Sequence, residues 1–485
     1  MILQDLTLVG PLIGMFVMSI IPLMIKVIRG NKEPNAFATL MYGFMGLLIA
    51  AGLTFALSGV KKTGFSGAIV VDGPTVWMSY LVYIVTGFSL MMSYDHIATR
   101  GKQFAEYVFL LMSSAIGMLI LMMANDLIVT FIGIETMSLC LYILCAMSKE
   151  DILSKEASFK YFILGSFASA IFLLGVSYIY GTVGSTSIPM VMDNIGTLIS
   201  TNRLFLIGIT LVILGFAFKV SIFPFHAWTP DVYQGAPTPV TAFMSTAVKA
   251  ATFVAFLRFF NSSGYELSPS LNTALQWLAV LTMFVGNVAA VMQDNVKRML
   301  AYSSVAHSGY AMVGLIAAGF GTRFDAGATA LLFYLFSYAI MTLGTFAVVA
   351  LYERYEHTQL RVQDLRGLGA KFPMLAISMT VLMLSLAGLP PFVGFFSKLY
   401  IFSAAMEQDY YWLVFWGVIN SVISVYYYLR PIVMMYMSDE PGAEIAASHI
   451  MTRATVVLSA IAVIAMGLAS APVLRAAQRA VINLF

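Results

Sequence analysis

Residues 125–144 read NDLIVTFIGIETMSLCLYIL, an apolar stretch interrupted near its middle by an acid, Glu135. A helix rises about 1.5 Å per residue, so about twenty residues cross the roughly 30 Å hydrocarbon core of a bilayer. Glu135 stands about nine residues into the stretch, which is near mid-depth. The stretch therefore predicts a membrane-spanning helix that carries a carboxyl group inside the bilayer.

The composition extends this prediction to the whole chain. Of 485 residues, 60% are hydrophobic and 10% are charged, whereas soluble domains contain about 25% charged residues. The mean hydropathy is +0.89. About fourteen apolar stretches are long enough to cross a bilayer as helices, and a spanning β-barrel would need short alternating segments instead. Their approximate limits are residues 8–28, 36–57, 75–94, 106–123, 126–147, 159–181, 203–222 with a continuation to about 235, 238–260, 272–292, 298–318, 326–351, 373–405, 411–436 and 452–473. The predicted fold class is an all-α polytopic membrane protein with about 14 transmembrane helices.

Two further features of the composition narrow the function. The net charge is only +3, which gives no reason to expect a nucleic-acid partner. The two cysteines, Cys140 and Cys145, lie in one apolar stretch and cannot supply the four ligands of an iron–sulfur cluster. The sequence also contains no Gly-rich dinucleotide fingerprint, so we expect no metal and no cofactor on this chain.

The distribution of Lys and Arg predicts the orientation, because these residues concentrate in cytoplasmic loops. Loops after odd-numbered stretches hold about fourteen of them and loops after even-numbered stretches about five. The five are Lys61, Lys62, Arg203, Arg258 and Arg323. This asymmetry predicts that both chain ends lie outside the cytoplasm.

Two of the stretches contain helix breakers at membrane depth. Residues 215–228 read GFAFKVSIFPFHAW, and residues 385–400 read SLAGLPPFVGFFSKLY. Proline removes a backbone donor and clashes with the preceding turn, so both helices should be broken. Backbone freed in this way survives only inside protein or beside water. The predicted breaks involve Pro224, Pro390, Pro391 and Gly394.

The spacing of the breaks predicts two repeats. The broken stretches are five spans apart, and repeats of five spans are inverted relative to each other because five is odd. The predicted division is an N-terminal three-helix unit (1–105), a first five-helix repeat (106–260), a second one (261–436, with its helices from 272) and a C-terminal helix and tail (437–485).

Several charged residues remain inside the predicted spans once loops and span ends are set aside. They are Glu135, Lys160, Lys219, Lys249, Lys398 and Arg430. A Lys at mid-helix costs about 2.5–3.5 kcal/mol of insertion free energy, so these groups must face water or one another. A structural ion pair is the alternative for Glu135 and Lys219. Lys160 is near enough to a span end for its ammonium group to reach the headgroups. For Arg430, which precedes a proline, we expect a structural or lipid-facing role.

The residue types indicate proton transfer. A buried Lys loses proton affinity by desolvation and regains it beside a carboxylate. A unit-charge pair at about 4 Å interacts by about 4 kcal/mol at an effective dielectric of 20, so moving Glu135 away from a Lys would release a proton. His226, after the first break, and His307 are suited to relay protons, because histidine titrates near pH 6.5; a structural role is the alternative for each.

At these residues the sequence resembles a known family. The runs FKVSIFPFHAWTPDVYQGAPTPVTAFMSTAVKAATF (218–253), QDNVKRMLAYSSVAHSGYAMVGL (293–315) and LSLAGLPPFVGFFSKLYIF (384–402) resemble the proton-pumping antiporter-like subunits of respiratory complex I. DVYQGAPTPV (231–240), followed by a Lys in the next span, is most similar to the subunit N branch of bacterial NADH-quinone oxidoreductase. Lys398 supports that branch, because the resemblance to the sister branch M would place a Glu at this position.

The resemblance implies roles for the charged residues. Glu135 would pair with Lys219 on the broken seventh span, and Lys249 would lie on the central axis in the eighth. Lys398 on the broken twelfth span would lead toward the outer side. The connecting relay would be Lys160, His226 and His307.

The resemblance also implies a setting for the chain. It would couple electron transfer from NADH to quinone, carried out with FMN and iron–sulfur clusters in partner subunits, to proton pumping. Its partners would be other membrane subunits of complex I, including neighbouring antiporter-like subunits, in a bacterial inner membrane. The alternatives are a subunit of an Mrp-type cation/proton antiporter and a membrane scaffold whose charges only lock helices together.

Overall fold

The computed structural model describes residues 2–59, 61–97, 103–148, 150–261, 269–319, 324–352, 359–437 and 450–482. In chain order its helices and strands are α1 (Ile2–Leu8), α2 (Gly10–Ile28), α3 (Ala36–Ala56), β1 (Lys62–Gly64), β2 (Ile69–Val71), α4 (Gly73–His96), α5 (Phe104–Met123), α6 (Leu127–Cys145), α7 (Ile152–Val183), α8 (Ile188–Asp193), α9 (Ile195–Thr201), α10 (Arg203–Lys219), α11 (Trp228–Gly235), α12 (Thr238–Phe243), a π-helix (Met244–Val248), α13 (Lys249–Asn261), α14 (Pro269–Val291), α15 (Val296–Gly319), α16 (Phe324–Tyr352), a 3-10 helix (Val362–Leu365), α17 (Leu368–Lys371), α18 (Pro373–Ala387), α19 (Val393–Met406), α20 (Tyr411–Tyr436), α21 (Ile450–Leu468) and α22 (Ser470–Ile482).

The predicted all-helical membrane fold is confirmed. Eleven helices in the described residues are long and apolar enough to cross a membrane, or twelve if the pair Ile195–Thr201 and Arg203–Lys219, bent by 110°, counts as one. Every predicted stretch coincides with a helix or a broken helix, while the total of fourteen spans stays a prediction. Four helices that match predicted stretches are not among these eleven. The helices α10, α18 and α19 are too short because their spans are broken, and α15 is too polar because it contains several serines and His307.

The helix starts follow from local sequence. Five of the described helices begin after an Asn or Asp whose side chain accepts a hydrogen bond from a backbone N–H of the first turn. Such caps satisfy donors that have no partner within the helix. The capping residues are Asn35, Asp72, Asp126, Asp151 and Asn202.

One backbone arrangement occurs twice. Before α6, Leu127 N donates to Thr186 O at 2.9 Å and Asn125 O accepts from Ile188 N at 3.0 Å. Before α15, Val296 N donates to Leu360 O and Asp294 O accepts from Val362 N, both at 2.9 Å. In both cases the start of one helix pairs with the segment that follows the next long helix, α7 or α16.

Glycines allow α5 to pack closely on α6, and α14 to pack closely on α15. A Cβ on Gly117 of α5 would lie 2.4 Å from the backbone nitrogen of Met137 in α6. A Cβ on Gly286 of α14 would lie 2.5 Å from the backbone nitrogen of Ala306 in α15. Only glycine permits such close backbone approach.

Both predicted breaks are present, with one correction. The first break runs from the end of α10 at Lys219 to the start of α11 at Trp228 and contains Pro224. The second lies between α18 and α19 and contains Pro390 and Pro391. Gly394 was wrongly assigned to this break, because it lies in the first turn of α19. Glycine at this position lets α19 pack closely on α18, since a Cβ there would lie 1.7 Å from the carbonyl oxygen of Ser385.

We expect Gly394→Ala to destabilise the protein, because the new methyl group must displace the backbone of α18. Overpacking of a tight core costs about 1–3 kcal/mol of folding free energy. Gly52→Ala on α3 is the matched control, since a Cβ at Gly52 meets nothing within 4 Å. The thermal midpoint of the purified protein should fall for Gly394→Ala and stay level or rise for Gly52→Ala. Equal midpoints would show that α18 and α19 are not closely packed at Gly394.

The count of loop charges also needs a correction. Arg258 lies inside α13 and not in a loop, and it is buried. Its guanidinium donates to both carboxylate oxygens of Asp72, at 2.6 and 3.0 Å, and to the Thr75 hydroxyl at 2.8 Å. It also donates to the carbonyl of Met122 near the end of α5. Arg323, and Arg100, Lys102, Lys149 and Arg354 of the odd-numbered loops, lie outside the described residues.

Candidate functional site

Lys219 is the last residue of α10, at the start of the first break, and it is buried against α6 and α7. Its ammonium donates to the Ser138 hydroxyl on α6 at 2.7 Å. It also lies 5.8 Å from the ring centroids of Tyr142 and Tyr161, within the range of cation–π attraction. The side chain is only 2% exposed, so these contacts replace the water that an ammonium group needs.

Glu135 stands one turn before Ser138 on the same face of α6. Its carboxylate accepts a hydrogen bond from the Ser169 hydroxyl on α7. Glu135 and Lys219 thus hold separate serine partners and are not joined by a direct ion pair. Glu135 is half-buried, at the surface of this chain.

Lys249 begins α13 directly after the five-residue π-helix Met244–Val248. Its ammonium donates to the carbonyl oxygen of Ser304 at 2.5 Å and to the Ser308 hydroxyl at 2.8 Å, both on α15. A π-helix adds a residue to a turn and is frequent at functional sites. Here it accompanies a lysine that is 2% exposed.

His307 lies on the same turn of α15 and is enclosed by tyrosines. Its Nδ1 is 2.6 Å from the Tyr334 hydroxyl and its Nε2 is 3.1 Å from the Tyr428 hydroxyl. The Tyr338 ring stacks on the imidazole with centroids 4.8 Å apart. The Tyr338 hydroxyl donates to the Ser304 hydroxyl at 2.9 Å, so His307 and Lys249 share a serine-rich face of α15.

Lys398 lies in α19, one turn after the second break. Its ammonium donates to the carbonyl of Ala387, at the end of α18, at 3.0 Å and to the Ser421 hydroxyl on α20 at 2.9 Å. It also lies 4.9 Å from the ring centroid of Tyr310 on α15. The break therefore supplies an unpaired carbonyl that serves as an acceptor for the buried ammonium group.

These groups follow one another through the protein interior. Three lysines and a histidine, each at most 6% exposed, alternate with serine and tyrosine hydroxyls. From Lys219 toward Lys249 the contacts run through aromatic side chains. Phe218 stacks on Trp228, Trp228 contacts Tyr233 of α11, and Tyr233 lies beside Ser304. Hydroxyl groups both donate and accept hydrogen bonds, so such a sequence of groups suits proton transfer.

Three of the sequence candidates lie apart from this sequence of groups. Lys160 is partly exposed and pairs with Asp231 at 2.7 Å and with Glu156 at 2.6 Å. The Nδ1 of His226, in the first break, is buried without a hydrogen-bond partner. Arg430 pairs with Asp294, and its structural role stays a prediction.

Sequence reasoning missed most of the groups between the charges. The main ones are Ser138, Ser169, Tyr233, Tyr334, Tyr338 and Tyr428. The dense run of Ser and Tyr around His307 in residues 302–310 did indicate polar groups beside that histidine, among them Ser304 and Ser308. Within the described residues, no group of three or more His, Cys, Asp or Glu is placed to hold a metal ion.

Comparison with known proteins identifies the family. Residues 124–424 match the family model described as NADH:quinone oxidoreductase/Mrp antiporter, transmembrane. The chain is 52% identical over 99% of both chains to NADH-quinone oxidoreductase subunit N of Bdellovibrio bacteriovorus. It is 40% identical to the subunit N of Trichlorobacter lovleyi, over 91% of this chain and 89% of that one.

Solved structures agree with this assignment. A chain of respiratory complex I from Thermus thermophilus is 31% identical and superposes with a TM-score of 0.80, covering 96% of this chain and 98% of that one. A chain of the Mrp complex from Dietzia superposes with a TM-score of 0.84 over 100% of this chain and 98% of its own length, but at 20% identity, which shows a shared fold alone. The chain belongs to the NADH:quinone oxidoreductase/Mrp antiporter transmembrane family, and within it to the NADH-quinone oxidoreductase subunit N proteins.

Proposed function

We propose that the chain is a proton-translocating membrane subunit of NADH-quinone oxidoreductase, coupling NADH:quinone electron transfer in partner subunits to proton pumping. The observation that carries the proposal is the buried sequence of Lys219, Lys249, His307 and Lys398. Removing these charges would save insertion free energy, so an all-apolar core would be the simpler structure. Residues that gain and lose protons give the charges a use.

Proton release depends on Glu135 and Lys219. Each is held by a serine: Glu135 by Ser169 on α7, and Lys219 by Ser138, which lies one turn after Glu135 on α6. A rotation of either side chain would bring carboxylate and ammonium together. At about 4 Å and an effective dielectric of 20 the pair gains about 4 kcal/mol, and separation of the pair returns it. We propose that this exchange loads Lys219 with a proton and releases the proton toward Lys249.

The route then follows the serines and tyrosines of α15. Lys249 passes a proton to the Ser308 hydroxyl and on to the His307 environment, where the Tyr428 hydroxyl contacts Nε2. The Tyr310 ring, which lies against the Lys398 ammonium, borders the last step to Lys398. Lys160 and His226 remain proposed relay residues at the ends of the route. Lys160 lies in a partly exposed ion cluster, which suits contact with water.

Partner subunits supply the energy in this proposal. Glu135 is half-buried at the surface of a membrane-spanning region, where a charge facing lipid is costly. We propose that a neighbouring membrane subunit of the complex, such as another antiporter-like subunit, covers this surface. FMN, the iron–sulfur clusters and quinone would be held by partner subunits, and this chain would hold none.

We also propose two inverted five-helix repeats, residues 106–260 and 261–436, between an N-terminal unit (1–105) and a C-terminal one (437–485). The recurring backbone pairing before α6 and α15 supports this division. Because Arg258 lies in α13, the loops after even-numbered spans contain one Lys or Arg fewer than the sequence count. This asymmetry supports a bacterial inner membrane orientation with both termini on the periplasmic side.

An affinity tag on this chain tests its membership of the complex. We expect solubilised membranes to yield the tagged chain together with flavin, iron–sulfur clusters and NADH:quinone activity. An Mrp-type antiporter subunit, the alternative that the shared fold allows, would co-purify with membrane proteins alone. Purification without flavin or iron would contradict the proposal.

A further inference from the structure

Asn287 is a fully buried amide on α14 that joins side chains of two other helices. Its Nδ2 donates to the Tyr310 hydroxyl on α15 at 3.3 Å, and its Oδ1 accepts from the Tyr427 hydroxyl on α20 at 2.9 Å. Its Nδ2 also lies 3.4 Å from Oδ1 of Asn420 on α20. Donor and acceptor of the amide are therefore both in use.

Each tyrosine leads to an ionisable group of the proposed route. The Tyr310 ring lies 4.9 Å from the Lys398 ammonium. The Tyr427 ring packs on the Tyr428 ring with centroids 4.4 Å apart. The Tyr428 hydroxyl is 3.1 Å from Nε2 of His307. One amide thus fixes aromatic rings on the way to both groups.

We propose that Asn287 is a positioning residue for proton transfer between His307 and Lys398. The inference rests on the proposed function. Without the amide, the Tyr310 hydroxyl would be buried without its hydrogen-bond partner, which is unfavourable enough to make it rotate. The Tyr427 hydroxyl would lose the acceptor on Asn287 and shift toward Ser303 and Tyr428, its remaining partners. The Tyr310 ring would then leave the Lys398 ammonium, and a shift of Tyr427 would move the hydroxyl that contacts His307.

A second amide on the same helix provides a matched control. Gln276 is buried eleven residues earlier on α14, about 16 Å away along the helix. It donates to Asn272 at 2.9 Å and accepts from the Trp412 indole N–H at 2.7 Å. Gln276→Leu removes a buried amide and its hydrogen bonds without touching either ionisable group.

The test compares Asn287→Leu, Asn287→Asp and Gln276→Leu in the whole complex, reconstituted in sealed vesicles. Proton uptake per NADH oxidised is measured from pH 6 to pH 8. Titratable groups face this region from four helices: Tyr310 and His307 from α15, Tyr427 and Tyr428 from α20, Lys398 from α19, and Tyr334 and Tyr338, which contact His307, from α16.

Asn287→Leu should lower proton uptake about fivefold or more at every pH. Asn287→Asp keeps the shape and, while protonated, keeps both a donor and an acceptor. Once ionised it loses the donor to Tyr310 and adds a negative charge near Lys398. The ratio of its uptake to that of the wild type should therefore change about fivefold or more between pH 6 and pH 8, while Gln276→Leu keeps a constant ratio.

The outcome separates this inference from the proposed function. If both Asn287 variants match the wild type, or share the pH-independent loss of Gln276→Leu, Asn287 has only a structural role. Because the near-isosteric Asn287→Asp retains packing, it carries the test if Asn287→Leu fails to assemble. Lys398→Met is measured alongside: if that variant pumps normally, the proposed function fails as well, and if it does not pump, only the Asn287 inference is at stake.

Discussion

Lys249→Met is expected to lower proton pumping severely without lowering the stability of the protein. A Lys at mid-helix costs about 2.5–3.5 kcal/mol of insertion free energy, which the variant recovers. The loss is two hydrogen bonds, of about 1 kcal/mol each. The Ser308 hydroxyl keeps a partner, because it also donates to the Ser304 carbonyl at 3.2 Å. We therefore expect a thermal midpoint at or above that of the wild type.

Pumping should fall about tenfold or more, equivalent to about 1.4 kcal/mol or more of barrier, because methionine cannot carry a proton. Lys249→Arg is the control that keeps a charge but rarely releases its proton, and it should pump poorly without the gain in stability. The measurements are the thermal midpoint of the purified complex and proton uptake in vesicles. A Lys249→Met variant that is less stable yet pumps normally would mean that the charge only locks helices.

Arg258→Leu should produce the largest loss of stability. The guanidinium makes hydrogen bonds to both Asp72 oxygens and links α13 to α4 and α5. Breaking a buried pair by removing one partner costs about 3–5 kcal/mol, since the other charge stays buried. Asp72→Asn in the same chain should restore part of this loss. The thermal midpoint and the amount of complex in membranes measure both effects; a loss no greater than that of an exposed Arg variant would show that the pair contributes little.

The pH dependence of this loss has a definite sign. Burial by itself raises the pKa of the Asp72 carboxyl, but the charge and hydrogen bonds of Arg258, with Thr75, hold it below its ordinary value. A carboxyl with a lowered folded-state pKa stabilises the fold above its unfolded pKa, and this stabilisation disappears as the pH falls through the folded value. The deficit of Arg258→Leu should be full at neutral pH and shrink in acid, because a protonated Asp72 needs no cation.

The sequence predicted the helices and both breaks because their causes are local. Twenty apolar residues require a helix in lipid, and Pro224 and Pro390 each remove a backbone donor and clash with the preceding turn of the helix. Gly394 was misplaced because a glycine used for close packing looks the same in sequence as one used for a break. Its reason, the carbonyl of Ser385, appears only when α18 and α19 are packed together.

The charged members of the site were predictable because a charge inside an apolar stretch is conspicuous. Their partners were not, since serine and tyrosine are common in spans and signal nothing alone. Ser138 and Lys219 are 81 residues apart, and Lys249 and Ser308 are 59 apart. The π-helix before Lys249 has no distinctive residue in MSTAV. Arg258 was mistaken for a loop residue because its partner, Asp72, is 186 residues away.

The most direct test of proton translocation uses the two residues on which proton loading depends. NADH-driven proton uptake is measured in sealed vesicles carrying the complex with Glu135→Gln, with Lys219→Met, or with both, at equal amounts of assembled complex. We expect each single variant to lose about tenfold or more, and the double variant to lose no more than the worse single one, because the two residues act as a unit. Wild-type uptake in both single variants would contradict the proposal that protons cross the membrane through this chain by way of Glu135 and Lys219.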